Sequence, residues 1–555
     1  MTEKMSPRED DLPKAISTIV STPVEAKPQA PQTGVPIGLV AALAGISLTI
    51  FIGALDMNIT ATAVPSITDE FHSSADSGWY GSAYLLSVSS LQLSWGRLYK
   101  IFPAKWTFLS ALTVFEVGSL LCGTAPSSTA FIVGRAIAGM GIAGVFSGAM
   151  IIASYTIPLR FRPLVNSGLA VLMGSTRALA PIVGGALTST VGWRWCFYLN
   201  LPCGGLCGVL VALGTGIQEA KEESPETWII RLRSFDWIGL VCWAPFTICL
   251  LLIIQFGGAQ YPWSSPQLIV LYILAIFTLL LFTYSQIYLG EGATVPPRII
   301  TQRSMIWGSI FEFLIGGASQ MLQYFLPIFF QVVQGKSALG SGTAILPLLV
   351  SYTLSLTLTG VAISVVGKYA PFMHIGSAIA AVGMGLLSTM TVHSSLGQSI
   401  GFQILCGVGV GLALDGPQLA AQTVFDQTDV PVALTVVTTL MNLGGAVFVS
   451  VGSSIFNNRA ATLLKSSAPG LSEALAAGTG LTELVKSLPV EKQDEVIKSL
   501  QIILSNIFQC GIAIVVLSFF VSLGVEWRSV RSKSPLDVSD KEHSVIAESG
   551  DSETK

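Results

Sequence analysis

The stretch "IFIGALDMNITATAVPSI", Ile50 to Ile67, is apolar enough to enter a bilayer, yet it carries a carboxylate, Asp56, at membrane depth. On insertion scales a charge at the centre of a spanning helix costs about 2.5–3.5 kcal/mol, so ionisable residues there are rare and mark function by default. Either Asp56 pairs with a cation or polar group across a helix bundle, or it titrates and travels neutral.

The surroundings fit a membrane reading. Of 555 residues, 51% are hydrophobic and 11% charged, against about 25% charged in a soluble domain. The net charge of −3 offers no basic surface for nucleic acid. The eight cysteines fall mostly inside apolar runs and read as small buried hydrophobes. Cys203 and Cys207 lie one turn apart, but nothing completes a metal set. No G-x-x-x-x-G-K-[ST] loop is present, so ATP is not the expected driver, and the four histidines are isolated. No catalytic residue, cofactor or metal is expected.

About 20 apolar residues cross a bilayer core, and fourteen such runs lie between 38–60 and 503–525, including 77–97 and 165–188. Lys and Arg set orientation through the short loops. Arg97, Lys100 and Lys105, then Arg160 and Arg162, then Arg231 and Arg233, then Arg298 and Arg303, then Lys368, all follow even-numbered runs. The alternate loops, such as "TAPSSTA", are poor in cations, except the loop at about 456–502 with Arg459, Lys465, Lys486, Lys492 and Lys498, which is long enough to escape the charge rule. Both termini are therefore expected in the cytoplasm.

The expected layout is an all-α polytopic membrane protein. Residues 1–35 form a disordered tail, 36–217 a six-helix bundle, 218–235 a cytoplasmic linker, 236–290 two added spans, 291–525 a second six-helix bundle and 526–555 a second tail. The loop at about 456–502 is expected outside the membrane, with "LSEALAAG" and "PVEKQDEVIKSLQIIL" as short helices over the outer face. Many of the 55 glycines fall inside runs, as in "GRAIAGMGIAGVFSGAM" and "LCGVGVGLAL". Small residues let helices approach closely in lipid.

Taken in order, the motifs resemble the major facilitator superfamily, specifically its fourteen-span drug:proton antiporter branch and its fungal toxin and multidrug pumps. "LDMNITATAVPSI" (Leu55–Ile67) is similar to that branch's first-helix motif. "WYGSAYLLSVSSLQLSWGRLYKIFPAKW" (Trp79–Trp106) occupies the place of the signature of span two and its loop. "GRAIAGMGIAGVFSGAMII" (Gly134–Ile152) resembles the fourth-helix motif around an Arg. "GSTRALAPIVGGALTSTVGWRWCFYLNLP" (Gly174–Pro202) resembles the antiporter motif and the aromatic run after it. "YFLPIFFQVVQGKSALGSGTAILP" (Tyr324–Pro347) looks like fungal exporters. The loop departs from the pattern, with Lys100 where the family has Asp and Pro103 where it has Gly, so the usual charge relay is not implied. Span five has Ala180-Pro181 in place of Gly-Pro.

The resemblance implies a proton-coupled exporter of small amphipathic or apolar compounds, working by alternating access between two bundles. Its partners would be a small-molecule substrate, protons and the bilayer, with no ATP and no nucleic acid, as a monomer in the plasma membrane. A vacuolar or vesicle membrane is the alternative location. An uptake carrier or siderophore exchanger of the same fold, or a non-transporting sensor, are the alternative functions. The residues expected in proton coupling or gating are Asp56, Arg135 and Arg177. Those expected at a substrate cavity are Asn58, Glu312, Gln320, Gln323, Tyr324 and Phe325. Glu312, Gln320 and Gln323 are spaced to share a helix face. Gly96, Arg97, Lys105, Gly174, Pro181, Gly184 and Gly185 carry the conformational motifs. Glu116 reads as a neutral acid against lipid, Asp415 as a solvated helix end or a site, and Trp193, Trp195, Phe197 and Tyr198 as an interfacial belt.

Overall fold

A spanning segment must satisfy its backbone internally, so apolar runs of this length become helices in a bilayer. The structure, a computed structural model, describes residues 37–73, 76–214, 228–257, 261–336, 338–467 and 490–530. The described residues form fourteen long helices and contain no strand beyond two isolated bridges. In chain order these are α1 Ile37–Phe71, α2 Ser77–Ile101, α3 Ala104–Thr124, α4 Ser128–Thr156 and α5 Arg162–Thr190. Next come α6 Asn200–Leu213, α7 Trp237–Phe256, α8 Pro266–Leu289, α9 Arg303–Val332 and α10 Leu346–Val366. The last are α11 Ala370–Ser388, α12 Leu396–Ala413, α13 Val430–Ser467 and α14 Val490–Ser522. A short turn, Trp195–Tyr198, leads into α6, and after a break at Leu414-Asp415 α12 continues as Gly416–Val424.

Twelve helical segments among the described residues are long and apolar enough to cross a membrane. The other two expected spans, 77–97 and 165–188, fall in α2 and α5. These have 25 and 29 residues, ample length, but lower apolarity. The reason is what they bury: Ser89, Ser90, Gln92, Ser94 and Arg97 on α2, and Asn166, Ser167 and Thr176 on α5. Both helices turn a polar stripe toward other protein rather than toward lipid.

Local chemistry fixes the helix starts. Ser127 accepts the Ala130 amide ahead of α4, Ser265 the Leu268 amide ahead of α8, and Ser395 with Gln398 closes a reciprocal cap on α12. Each satisfies donors that a helix N-terminus leaves orphaned. Close approach is set by glycine. A Cβ on Gly118 would collide with the backbone of Ala138, and one on Gly141 with that of Phe115, which pins α3 to α4. Gly383 against Cys406 and Gly409 against Ala380 do the same for α11 and α12.

One core cluster joins α1–α6 with Cys242 and Trp243 of α7, Phe282 of α8 and Val430–Val437 of α13. A second lies among α9–α12 and α14, around Phe311, Phe325, Met384 and Phe508. The expected short outer helices take another form. α13 runs on to Ser467, and "PVEKQDEVIKSLQIIL" supplies the first turns of α14 from Val490, because Val496, Leu500 and Ile503 bury against Val332. "LSEALAAG" lies outside the described residues, as do the expected tail 1–35, the expected tail 526–555 beyond Val530, and most of the 218–235 linker.

Candidate functional site

α1 buries Asp56 to 1% exposure, and α4 brings Arg135, equally buried, to meet it. Arg135 Nη1 donates to Asp56 Oδ2 at 2.8 Å. The other carboxylate oxygen, Oδ1, accepts from Asn200 Nδ2 of α6 at 2.9 Å, and the same amide lies 3.0 Å from Ser119 Oγ of α3. Arg135 Nε donates to the Tyr80 carbonyl of α2 at 3.1 Å. Its guanidinium sits over the Tyr84 ring, 4.2 Å from the centroid, with Phe197 at 5.8 Å. Five helices thus converge on one ion pair. Removing either partner would strand a buried charge, at a cost of about 3–5 kcal/mol. That answers how a carboxylate survives in this helix: its charge is matched and both its oxygens are occupied.

Asn200 is the residue the sequence reading missed. It stands in the "WRWCFYLNLP" run (Trp193–Pro202), which the belt reading assigned to the interface. Trp193 and Phe197 are in fact 4% and 0% exposed, packed edge-on against Phe131, while Trp195 is exposed. Trp193 Nε1 donates to Glu70 Oε2 at 2.7 Å, and Arg194 pairs with the same carboxylate. These bonds, Trp193 first and Arg194 second, hold the Glu70 carboxyl below its ordinary range against the opposing effect of burial.

Other expected residues disperse. Asn58 Nδ2 donates to Ala54 O at 2.6 Å and lies 3.4 Å from Thr176 Oγ1 of α5. Glu312 is fully buried on α9 with neither carboxylate oxygen hydrogen-bonded. Gln320 lies against Gly445 of α13, and Gln323 bonds Ser319 on its own helix. Tyr324 is 51% exposed, and Phe325 is core, packed on Gly452. Among the motif glycines, Gly184 lies against Thr62 and Ile59 of α1, Gly174 near Thr353 of α10, and Gly185 meets nothing. The side chains of Arg177 and Pro181 lie outside the described residues. Lys105 Nζ donates to the Gly214 carbonyl at 2.9 Å. Glu116 wedges against Gly204 of α6 with both oxygens unpartnered.

A second constellation closes one end of the molecule, the end where Gly38 meets Gly214 and Val530 bonds Gly367, hereafter the termini face. There Lys100 Nζ of α2 lies 2.8 Å from Asp429 Oδ1, just before α13, and Arg298 Nη1 lies 2.6 Å from Oδ2. Arg298 Nε also meets Glu291 at 2.7 Å, and Arg97 Nη1 donates to the Glu291 carbonyl at 3.2 Å. Burial raises the Asp429 carboxyl, but bonds from Arg298 and Lys100 outweigh it and leave the group below its ordinary value. Asp236, capping α7, accepts from the Thr294 amide and from Gln286, tying the α7–α8 hairpin to the segment that carries Glu291. Deeper in, Gln92 Nε2 donates to Thr438 at 3.0 Å and Asn442 donates back to Gln92 at 2.9 Å. Gly96 lies against Thr435, and Gly360 of α10 against Pro163 and Ser167 of α5. These contacts between the α1–α6 and α9–α14 halves all lie toward the termini face.

Comparison with known proteins places this geometry. The family model described as Major Facilitator Superfamily matches residues 46–449. The chain is 40% identical over 533 residues to "MFS-type efflux pump MFS1" of Arthroderma benhamiae, covering 96% of this chain and 99% of that one. It is 40% identical to "Efflux pump roqT" of Penicillium rubens, covering 90% and 92%. Its backbone is similar to that of the proton:xylose symporter XylE, at TM-score 0.57 and 12% identity, covering 89% of this chain and 99% of that one. It is likewise similar to the human organic anion transporter MFSD10, at TM-score 0.56 and 12% identity, covering 87% and 100%. The helical architecture, the buried Asp56–Arg135 pair within the matched region and these likenesses converge: the chain belongs to the major facilitator superfamily.

Proposed function

We propose that the protein is a proton-driven exporter of small amphipathic or apolar compounds, of the secondary-metabolite or drug kind. Relatives at about 40% identity over most of the chain are named efflux pumps, which supports export. The single observation that carries the coupling is the Asp56–Arg135 pair, the one fully buried ion pair among the described residues. A guanidinium stays charged, so the carboxylate is the partner that can take up and lose a proton. Protonation would cancel the charge match with Arg135 and favour rearrangement of α1 against α4. The proton's free energy is thereby tied to helix position.

The working layout is fourteen crossings with the termini face in the cytoplasm. Residues 36–217 and 291–525 act as two bundles, and α7–α8 as an added pair. The contacts from Gln92–Asn442 to Lys100–Asp429 hold the bundles shut at the termini face. This conformation is then the one whose cavity faces away from the cytoplasm, and alternating access requires those contacts to break. The test is expression in a host lacking its own pumps. Accumulation of a fluorescent hydrophobic dye should fall, a protonophore should restore it, and Asp56→Asn should abolish the effect with surface expression intact. Dye uptake that rises would point to a carrier working inward and would overturn export.

A further inference from the structure

The α9–α14 half holds two acidic side chains that the Asp56 site does not use. Glu312 on α9 is 0% exposed, and neither Oε1 nor Oε2 has a hydrogen-bond partner. Asp415 stands in the break of α12, 5% exposed. Both stand near the point where α9 crosses the broken helix: Gly308, one turn before Glu312, lies against Pro417, two residues after Asp415. Among the described residues no salt bridge reaches either carboxyl. α13 and α14 carry no charged residue at that depth. From α11, His374 bonds Ser522, and Tyr369 presents a phenol. Across the seam, Arg162 at the start of α5 donates to the Ile157 carbonyl at 2.9 Å and lies 3.5 Å from Gln422 Oε1. It forms no salt bridge among the described residues.

A carboxylate sealed from water with no donor and no counter-charge is too costly to keep ionised, so the group holds its proton. Two acids buried at one helix crossing disfavour each other's charge. Asp415 reaches across to the other half, with Oδ2 3.4 Å from Ser167 Oγ on α5. Ser167 has one proton, and it already lies 2.8 Å from the Pro163 carbonyl and 2.9 Å from that of Leu356. The better donor along the Asp415–Ser167 line is a protonated Asp415.

We propose that Glu312 and Asp415 form a second proton-binding site, loaded in this closed arrangement and discharged when the termini face opens. The site rests on the proton-driven reading but sits in the opposite half from Asp56. The seam that shields it is the α5–α10 contact, where Gly360 meets Pro163 and Ser167. Separating the halves there removes Ser167 from Asp415 and admits water. The O–H bond of the acid then breaks, its electron pair stays on the carboxylate and the proton passes to water on the termini side. The transporter would thus carry protons on both halves, and the second would leave by the side that opens.

The experiment uses the full chain, purified in lipid. Infrared difference spectra across a pH titration should show a protonated-carboxyl C=O band at neutral pH that disappears in Glu312→Gln. The same band in wild type and in both Glu312→Gln and Asp415→Asn, or no such band in wild type, would overturn the site. This reading is independent of transport direction and of Asp56, so it separates failure of this site from failure of the export reading. In vesicles loaded with a fluorescent hydrophobic dye, Glu312→Gln should lose movement driven by a pH difference and keep dye exchange at equal pH. A merely structural role would leave that split unmoved and would contradict the proposal. So would selective loss of cationic dyes with neutral ones unaffected, since Glu312 would then be holding cargo.

Discussion

Lys100 Nζ and Asp429 Oδ1 lie 2.8 Å apart, joining α2 to the start of α13 across the two halves of the molecule. Lys100 stands where the family's loop signature carries an acid, so this chain ties its halves with a basic residue on the α2 side and the acid on the α13 side. Reversing one charge should open the tie, and reversing both should restore it. Lys100→Asp and Asp429→Lys are each expected to lose efflux while reaching the membrane. The double variant should recover a substantial part. Efflux assays with surface labelling check this; equal activity in all four proteins would remove the tie from the cycle.

The pH behaviour of the tie follows from Asp429, whose carboxyl lies below its ordinary value because bonds from Arg298 and Lys100 outweigh burial. A lowered carboxyl stabilises above its unfolded value, about 3.9, and that contribution drains away only as pH falls through the folded value. The contribution of this tie to closure of the termini face is therefore expected to be unchanged from about pH 8 to pH 5 and to weaken below about pH 4. Distances between spin labels on the α2–α3 and α12–α13 loops would show it. Opening already near neutral pH would mean that another group controls this end.

Two glycines set how tightly that face shuts. A side chain at Gly96 would strike Thr435, and one at Gly360 would strike Ser167 and the Pro163 backbone, whereas Gly185 has open space. Gly96→Val and Gly360→Val should hold the halves apart at the termini face and abolish transport with normal expression. Gly185→Ala should be near neutral. Cysteine accessibility at the termini face reads the difference.

Asn200 holds one oxygen of Asp56 and reaches Ser119. Removing it leaves a buried carboxylate oxygen unsatisfied, a cost of about 1–3 kcal/mol. Asn200→Ala should lower both thermal stability and dye efflux and should shift the pH dependence of transport. Asn200→Asp should be worse, because it sets a second acid against Asp56. An unchanged pH profile in Asn200→Ala would confine the residue to packing.

Much of this was legible in the chain. Twelve of the fourteen hydrophobic runs coincide with described helical segments long and apolar enough to cross a membrane, because an apolar run of bilayer length has few alternatives to a helix. The sequence marked Asp56 and Arg135 through their rarity at such depth, and the fold brought the two together. Asn200 was hidden because an amide beside aromatics reads as a boundary, and only the packing of α6 against α1 and α3 reveals its role. The lower apolarity of α2 and α5 reflects tertiary contacts between halves, which single-segment hydropathy does not encode. The tie through Asp429 joins residues 329 positions apart, beyond the reach of any local pattern. Tyr324 and Phe325 show the limit of periodicity: adjacent aromatics split between an exposed face and the core.

The central claim is that charge on Asp56 couples proton movement to export. The most direct measurement loads purified protein into sealed vesicles, imposes a pH difference or none, and follows a transported dye in wild type, Asp56→Asn and Arg135→Ala. The account predicts gradient-dependent movement in wild type and none in either variant. Equal movement with and without the pH difference, or gradient-driven movement surviving in Asp56→Asn, would contradict it.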